Sequence, residues 1–133
     1  MARHRLTFVG GLELAGQVRE WICERAREAG FDEDAVADIA LAVSEAVSNI
    51  VRHAYEGRAD GRIEATLTTD DTALTLCLRD YGRKFDPDLY QSPDLDTPAE
   101  GGYGIFLMRT VMDGVRYETS HAEGTELILV KRR

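Results

Sequence analysis

Glu45, Asn49 and His53 recur at every fourth position of SEAVSNIVRHAY, residues 44–55. That spacing lines them along one side of a helix. An Asn side-chain oxygen is a hard, neutral ligand suited to Mg²⁺. A Glu one turn before it can act as a general base beside that metal. The same line also reads as a solvated polar face, with Ser48 and Arg52 as further members.

Two other stretches hold residue types with chemical use. In LRDYGRKFDP, residues 78–87, an apolar run ends in Asp80 and is followed by Gly82. A carboxylate there can accept a hydrogen bond from an exocyclic amine such as adenine N6. Asp and Gly at a strand end are also plain turn chemistry. In EGGYGIFLMRTVMD, residues 100–113, Gly101, Gly102 and Gly104 precede an apolar helical pattern. Glycines let backbone N–H groups approach phosphate oxygens, and a helix N-terminus favours the anion. A hinge followed by a helix start gives the same pattern. No GK[ST] follows, so this is not a Walker A loop. No strand directly precedes it, as a dinucleotide-binding fingerprint requires.

These stretches must be positioned by the elements around them. Arg3–Val9 alternates before Gly10–Gly11 and predicts a first strand. Leu12 to about Ala29 is helical, with Leu14, Val18, Trp21, Ile22 and Arg25 at three-to-four spacing, and Gly30 is its expected C′ residue. A second helix starts near Asp32–Asp34 and runs to about Tyr55. Its apolar stripe is Val36, Ile39, Val43, Val47, Ile50 and Ala54, with Glu45 and Asn49 roughly opposite. Arg62–Thr69 and Ala73–Asp80 predict antiparallel strands joined by a tight Asp70–Asp71 turn. The stretch from Tyr81 to Gly102 is irregular and holds all three prolines. Gly104–Met112 predicts a short apolar helix. Val115–Ser120 and Thr125–Lys131 predict a last hairpin around Glu123–Gly124. Helices and strands do not alternate strictly, so a doubly wound parallel sheet is not expected. The order predicts an α+β, two-layer sandwich: a mixed, mainly antiparallel sheet with helices on one face.

The chain has 133 residues, the usual size of one domain. Its formal net charge of −8 and pI near 4.8 argue against direct nucleic-acid binding, which needs a basic face. Cys23 and Cys77 lie far apart with no CxxC, as expected of small buried hydrophobes in a reducing compartment. No apolar run approaches the roughly 20 residues needed to span a bilayer. The start, MARHRLTFVGG, is too short and polar for a signal peptide. A cytoplasmic location with no membrane association is expected.

The order of the three stretches narrows the field. E-x-x-x-N on a helix, D-x-G after a strand and G-x-G opening a helix together resemble the ATP-binding (Bergerat) fold of the histidine-kinase-like superfamily, shared by DNA gyrase, heat-shock chaperones and histidine kinases. The resemblance covers nearly the whole chain and extends to Gly124–Thr125 on a late strand. Within that superfamily, SEAVSNIVRHAY, RDYGRKFDP and GGYGIFLMRTVMD look like the bacterial anti-sigma-factor serine/threonine kinases.

That resemblance implies ATP and Mg²⁺ as ligands, and one such ATPase domain over 1–133. Asn49 matches the metal-coordinating position, and Glu45 the general base that deprotonates the acceptor serine. Asp80 matches the residue that binds the adenine amine, and Gly82 its close-approach glycine. Gly102, Tyr103 and Gly104 match the phosphate-holding segment, and Thr125 the hydroxyl that supports Asp80 and the base. Arg52 and His53 line the phosphate end. The segment from about Asp88 to Gly101 matches the lid. Many superfamily members carry a second glycine where this chain has Lys84. The implied partners are a STAS-domain anti-anti-sigma protein, a sigma factor and a second copy of the chain, with the first strand and its neighbours as the dimer interface.

Other functions compete. A non-catalytic regulator would bind ATP and sequester a partner; the presence of Glu45 favours the kinase. The catalytic piece of a two-component histidine kinase would need a phospho-acceptor helix pair, and none of His4, His53 and His121 sits on one. A plain α+β binding module would bind no adenine nucleotide.

Overall fold

The structure is a computed structural model and describes residues 1–84 and 102–133. The elements are β1 (Ala2–Gly10), α1 (Leu14–Glu28), α2 (Glu33–Asn49), a π-helical turn (Ile50–Ala54), β2 (Gly61–Thr69), β3 (Ala73–Asp80), α3 (Gly102–Val111), β4 (Gly114–Glu118) and β5 (Glu126–Arg132). The five strands form one sheet in the order β1-β2-β3-β5-β4. All four pairings are antiparallel, the limiting case of the mainly antiparallel sheet expected from the element order.

Alternation along the strands sets the two layers. Ile63, Ala65 and Leu67 on β2, Leu74, Leu76 and Leu78 on β3, and Leu127 and Leu129 on β5 are buried. They form one core with Leu14, Val18 and Ile22 of α1 and with Val36, Ile39, Val43 and Val47 of α2. Each fully buried aliphatic side chain contributes roughly 1.5–3 kcal/mol over leaving it exposed. The residues between them, such as Thr66, Thr68, Thr75 and Cys77, lie on the half-exposed opposite face.

Local chemistry sets the helix ends. The Asp32 carboxylate accepts from Ala35 N–H at 2.8 Å, capping α2. α1 ends in a Schellman motif: Phe31 N–H donates to Ala26 O and Gly30 N–H to Arg27 O, with Gly30 at φ +91°. The β2–β3 connection lies between Thr69 and Ala73, the strand ends expected. The Asp70 carboxylate accepts from Thr72 N–H, Thr72 Oγ1 and Ala73 N–H, so the turn takes in Thr72. β4 ends at Glu118, and Thr119–Ser120 belong to the loop rather than the strand.

The expected long second helix changes character before its end. α2 stops at Asn49 and continues as the π-helical turn, in which Tyr55 N–H donates to Ile50 O at 3.1 Å. The stripe is kept through this change: Ile50 and Ala54 are both buried. π-helical turns inside helices often sit at functional sites.

Candidate active site

Two groups of the expected site residues are brought together. The first lies between α2 and α3. Glu45 and Asn49 are half-buried rather than on an open face. They look onto the N-terminal turn of α3. A methyl group at Gly104 would stand 2.7 Å from Asn49 Nδ2 and 3.1 Å from Glu45 Oε2. A side chain there would have to displace the ends of Asn49 and Glu45, so glycine lets the backbone of α3 approach the Glu–Asn line as it stands. The backbone of Gly102 and Tyr103 forms the start of α3. Free N–H groups at such a terminus attract anions.

Asn49 Oδ1 is buried and has no hydrogen-bond partner among the described residues. A buried polar atom left so costs about 1–3 kcal/mol unless a ligand satisfies it. A hard carbonyl oxygen is the donor type Mg²⁺ prefers, so Asn49 fits the ion expected there. Among the described residues no group of three His, Cys, Asp or Glu gathers to hold a metal.

The second group lies at the end of β3. Asp80 is 4% exposed and Thr125 is 3% exposed. Asp80 N–H donates to Thr125 O at 2.9 Å, and Gly82 N–H donates to Asp80 Oδ1 at 3.1 Å. Burial pushes the Asp80 carboxyl above the ordinary carboxylate range, opposed by the Gly82 and Thr125 amides and by the Arg79 charge. Gly124, at φ +67°, packs directly on the Asp80 carbonyl.

The two groups are joined through the π turn. Arg83 N–H donates to Ala54 O at 2.7 Å. A Cβ on Gly82 would fall on that same carbonyl oxygen. Gly82→Ala is therefore expected to lower stability by about 3 kcal/mol, because backbone rather than a flexible side chain must move. The midpoint of urea unfolding checks this; an unchanged midpoint would show that the corner yields freely.

The remaining expected positions are less closely placed. Arg52 and His53 are exposed on the π turn, and Arg52 Nε donates to Ser48 O. Lys84, in the place of the second glycine, is exposed, and its Nζ donates to Thr119 O at 2.9 Å. It ties the corner to the β4–β5 loop. The expected lid, from about Asp88 to Gly101, lies outside the described residues. Two residues that hold the site have only a packing role in the sequence reading: Ala54 as the last residue of the apolar stripe and Tyr55 as the helix end. Their signal was present: an aromatic residue closing a polar-lined helix, shortly before a glycine turn.

A family model described as a histidine kinase-like ATPase domain matches residues 9–131. The serine-protein kinase RsbW of Listeria monocytogenes serovar 1/2a is 34% identical over 114 residues, covering 80% of this chain and 71% of that protein. RsbW of Bacillus subtilis is 33% identical over 114 residues, again covering 80% and 71%. The mycobacterial sensor histidine kinase MprB has a similar structure, with a TM-score of 0.57 over 98% of this chain and 97% of that chain. At 13% identity that likeness concerns the fold alone.

Proposed function

The chain belongs to the histidine kinase-like ATPase family, and within it to the RsbW-like anti-sigma serine-protein kinases; from that membership we propose that it is an ATP- and Mg²⁺-dependent protein-serine/threonine kinase and an anti-sigma factor. Its substrate is a STAS-domain anti-anti-sigma protein, and the partner it sequesters is a sigma factor. The observation that carries this is the buried Asn49 Oδ1, without a hydrogen-bond partner among the described residues, beside Glu45 at the glycine-lined start of α3.

The residues take distinct roles. Glu45 removes the proton of the acceptor serine as the serine oxygen bonds to the terminal phosphorus and ADP departs. Asn49 offers an oxygen to Mg²⁺, which when bound offsets charge on the phosphates. The N-terminal backbone of α3, from Gly102 through Tyr103 to Gly104, donates to phosphate oxygens. Asp80 accepts from the adenine amine, Gly82 lets the base approach, and Thr125 supports Asp80. Arg52 and His53 stand at the phosphate end.

The whole of 1–133 acts as one ATPase domain, in the cytoplasm, without contact to nucleic acid or membrane. No helix among the described residues is long and apolar enough to cross a membrane. The chain works as a homodimer through β1, an edge strand of the sheet that exposes Leu6 and Val9.

Mixing the protein with ATP, Mg²⁺ and candidate STAS-domain proteins tests the proposal. Phosphorylation of one candidate on serine, read as a mass gain of about one phosphate, is the expected result. ATP binding with no transfer to any candidate would make the chain a sequestering regulator instead. Failure to bind ATP would remove the nucleotide site altogether.

A further inference from the structure

We infer that Tyr55 is a positioning residue that locks the Asp80–Gly82 corner onto the helix carrying Glu45 and Asn49, so that the base end and the phosphate end of the nucleotide site hold one spacing. This rests on the function proposed above. Nothing in the roles given there uses Tyr55.

The geometry is specific. Tyr55 is 5% exposed and closes the π-helical turn. Its hydroxyl donates to Arg62 O at the start of β2 and accepts from Tyr81 N–H at 2.9 Å. One atom thus joins the helix layer, β2 and the residue between Asp80 and Gly82. Both acceptor and donor capacities of the hydroxyl are used on backbone. Burial pushes the Tyr55 phenol above its usual range. The ring has a place made for it: a Cβ on Gly61 would collide with it.

Two further contacts act at the same joint. Arg83 N–H donates to Ala54 O, the residue before Tyr55. Tyr81 itself is held from the other side, its ring 4.5 Å from the Arg62 guanidinium and 4.3 Å from that of Arg79, with its hydroxyl on Glu64 Oε1 at 2.9 Å. Asp80 is therefore followed directly by an anchored residue, Tyr81, and two residues further on by Arg83, bonded to Ala54. The π turn explains how the helix reaches the corner. It holds more residues per turn than an α-helix, so the residues after it are rotated relative to Glu45 and Asn49. The Glu–Asn line can then face α3 while Ala54 and Tyr55 bond the residues that follow β3.

The test is Tyr55→Phe, which keeps the buried ring and deletes the shared hydrogen bonds. Binding of ATP and of GTP is measured with Mg²⁺ well below the unfolding temperature, on wild type and variant. The expected result is an ATP dissociation constant raised about tenfold, with the preference for ATP over GTP reduced by a similar factor. A purely structural role would lower the unfolding temperature and leave that preference alone, which would overturn the inference. Amide hydrogen exchange in the nucleotide-free protein provides a second readout. Tyr81 N–H should exchange faster in the variant while Arg83 N–H stays protected. Equal protection of Tyr81 in both proteins overturns the latch even if ATP binds as proposed. Wild type that binds neither nucleotide overturns the functional proposal, and the inference with it.

Discussion

Glu45→Gln should abolish phosphoryl transfer and leave ATP binding nearly intact. Gln has the shape of Glu, and the space beside Gly104 that Glu45 occupies is tight: its Oε2 lies 3.1 Å from where a Cβ would stand. An isostere keeps that packing and the half-buried position on α2. What it loses is the capacity to accept the serine proton. General-base removal costs on the order of 10²–10⁴ in rate. The binding side should be spared, because Asn49, Asp80 and the start of α3 are untouched. Intact-mass kinetics with the phosphorylated partner, and calorimetric titration with ATP and Mg²⁺, separate the two effects. Transfer at the wild-type rate would remove Glu45 from the role of base. Loss of ATP binding would make it a ligand-holding residue instead, and would weaken the case for a kinase over a sequestering regulator.

The parts of this molecule that follow short-range rules were legible in the sequence. β3 begins and ends where alternation predicts, at Ala73 and Asp80. Gly30 and Asp32 mark helix ends because left-handed backbone and side-chain capping are local events. The Glu45–Asn49 line could be read because helical period alone aligns it. What it faces could not be. Glu45 and Asn49 are half-buried against α3, more than 50 residues later in the chain, and only tertiary packing brings Gly104 there. The π turn is not legible in the sequence for a related reason. Its apolar stripe matches an α-helix, and the extra residue per turn is stabilised by a partner outside the helix, the Asp80–Arg83 segment bonded to Ala54 and Tyr55. The Asp70 turn was legible for the same local reason as the helix ends: one carboxylate gathers three donors between the expected strand ends. Motif order across the chain carried what local pattern could not: each stretch alone has an ordinary structural meaning.

Asp80→Asn should separate function from stability in the opposite sense to most active-site changes. Asp80 is 4% exposed, and burial raises its pKa against two amides and the Arg79 charge. A carboxyl whose folded pKa lies above its unfolded value near 3.9 stabilises the fold in its protonated form. That stability is fully present below the unfolded pKa and is lost as pH rises through the folded one. At neutral pH the ionised carboxylate is therefore a net cost, which the proposed contact with the adenine amine would account for. Asn removes the charge while its carbonyl can still accept from Gly82 N–H. The variant should melt no lower than wild type at pH 7, and any advantage should shrink as pH falls and the wild-type carboxyl protonates. ATP affinity should drop about 100-fold, since an Asn amide turned to the cleft presents donors to the adenine amine, itself a donor. Thermal unfolding across the acidic range, paired with ATP titration at pH 7, tests both halves. Unchanged ATP affinity would mean that the base is read elsewhere. A variant that lost stability as well as ATP binding would return Asp80 to the ordinary role its sequence context also allows, a turn residue whose charge holds the corner closed.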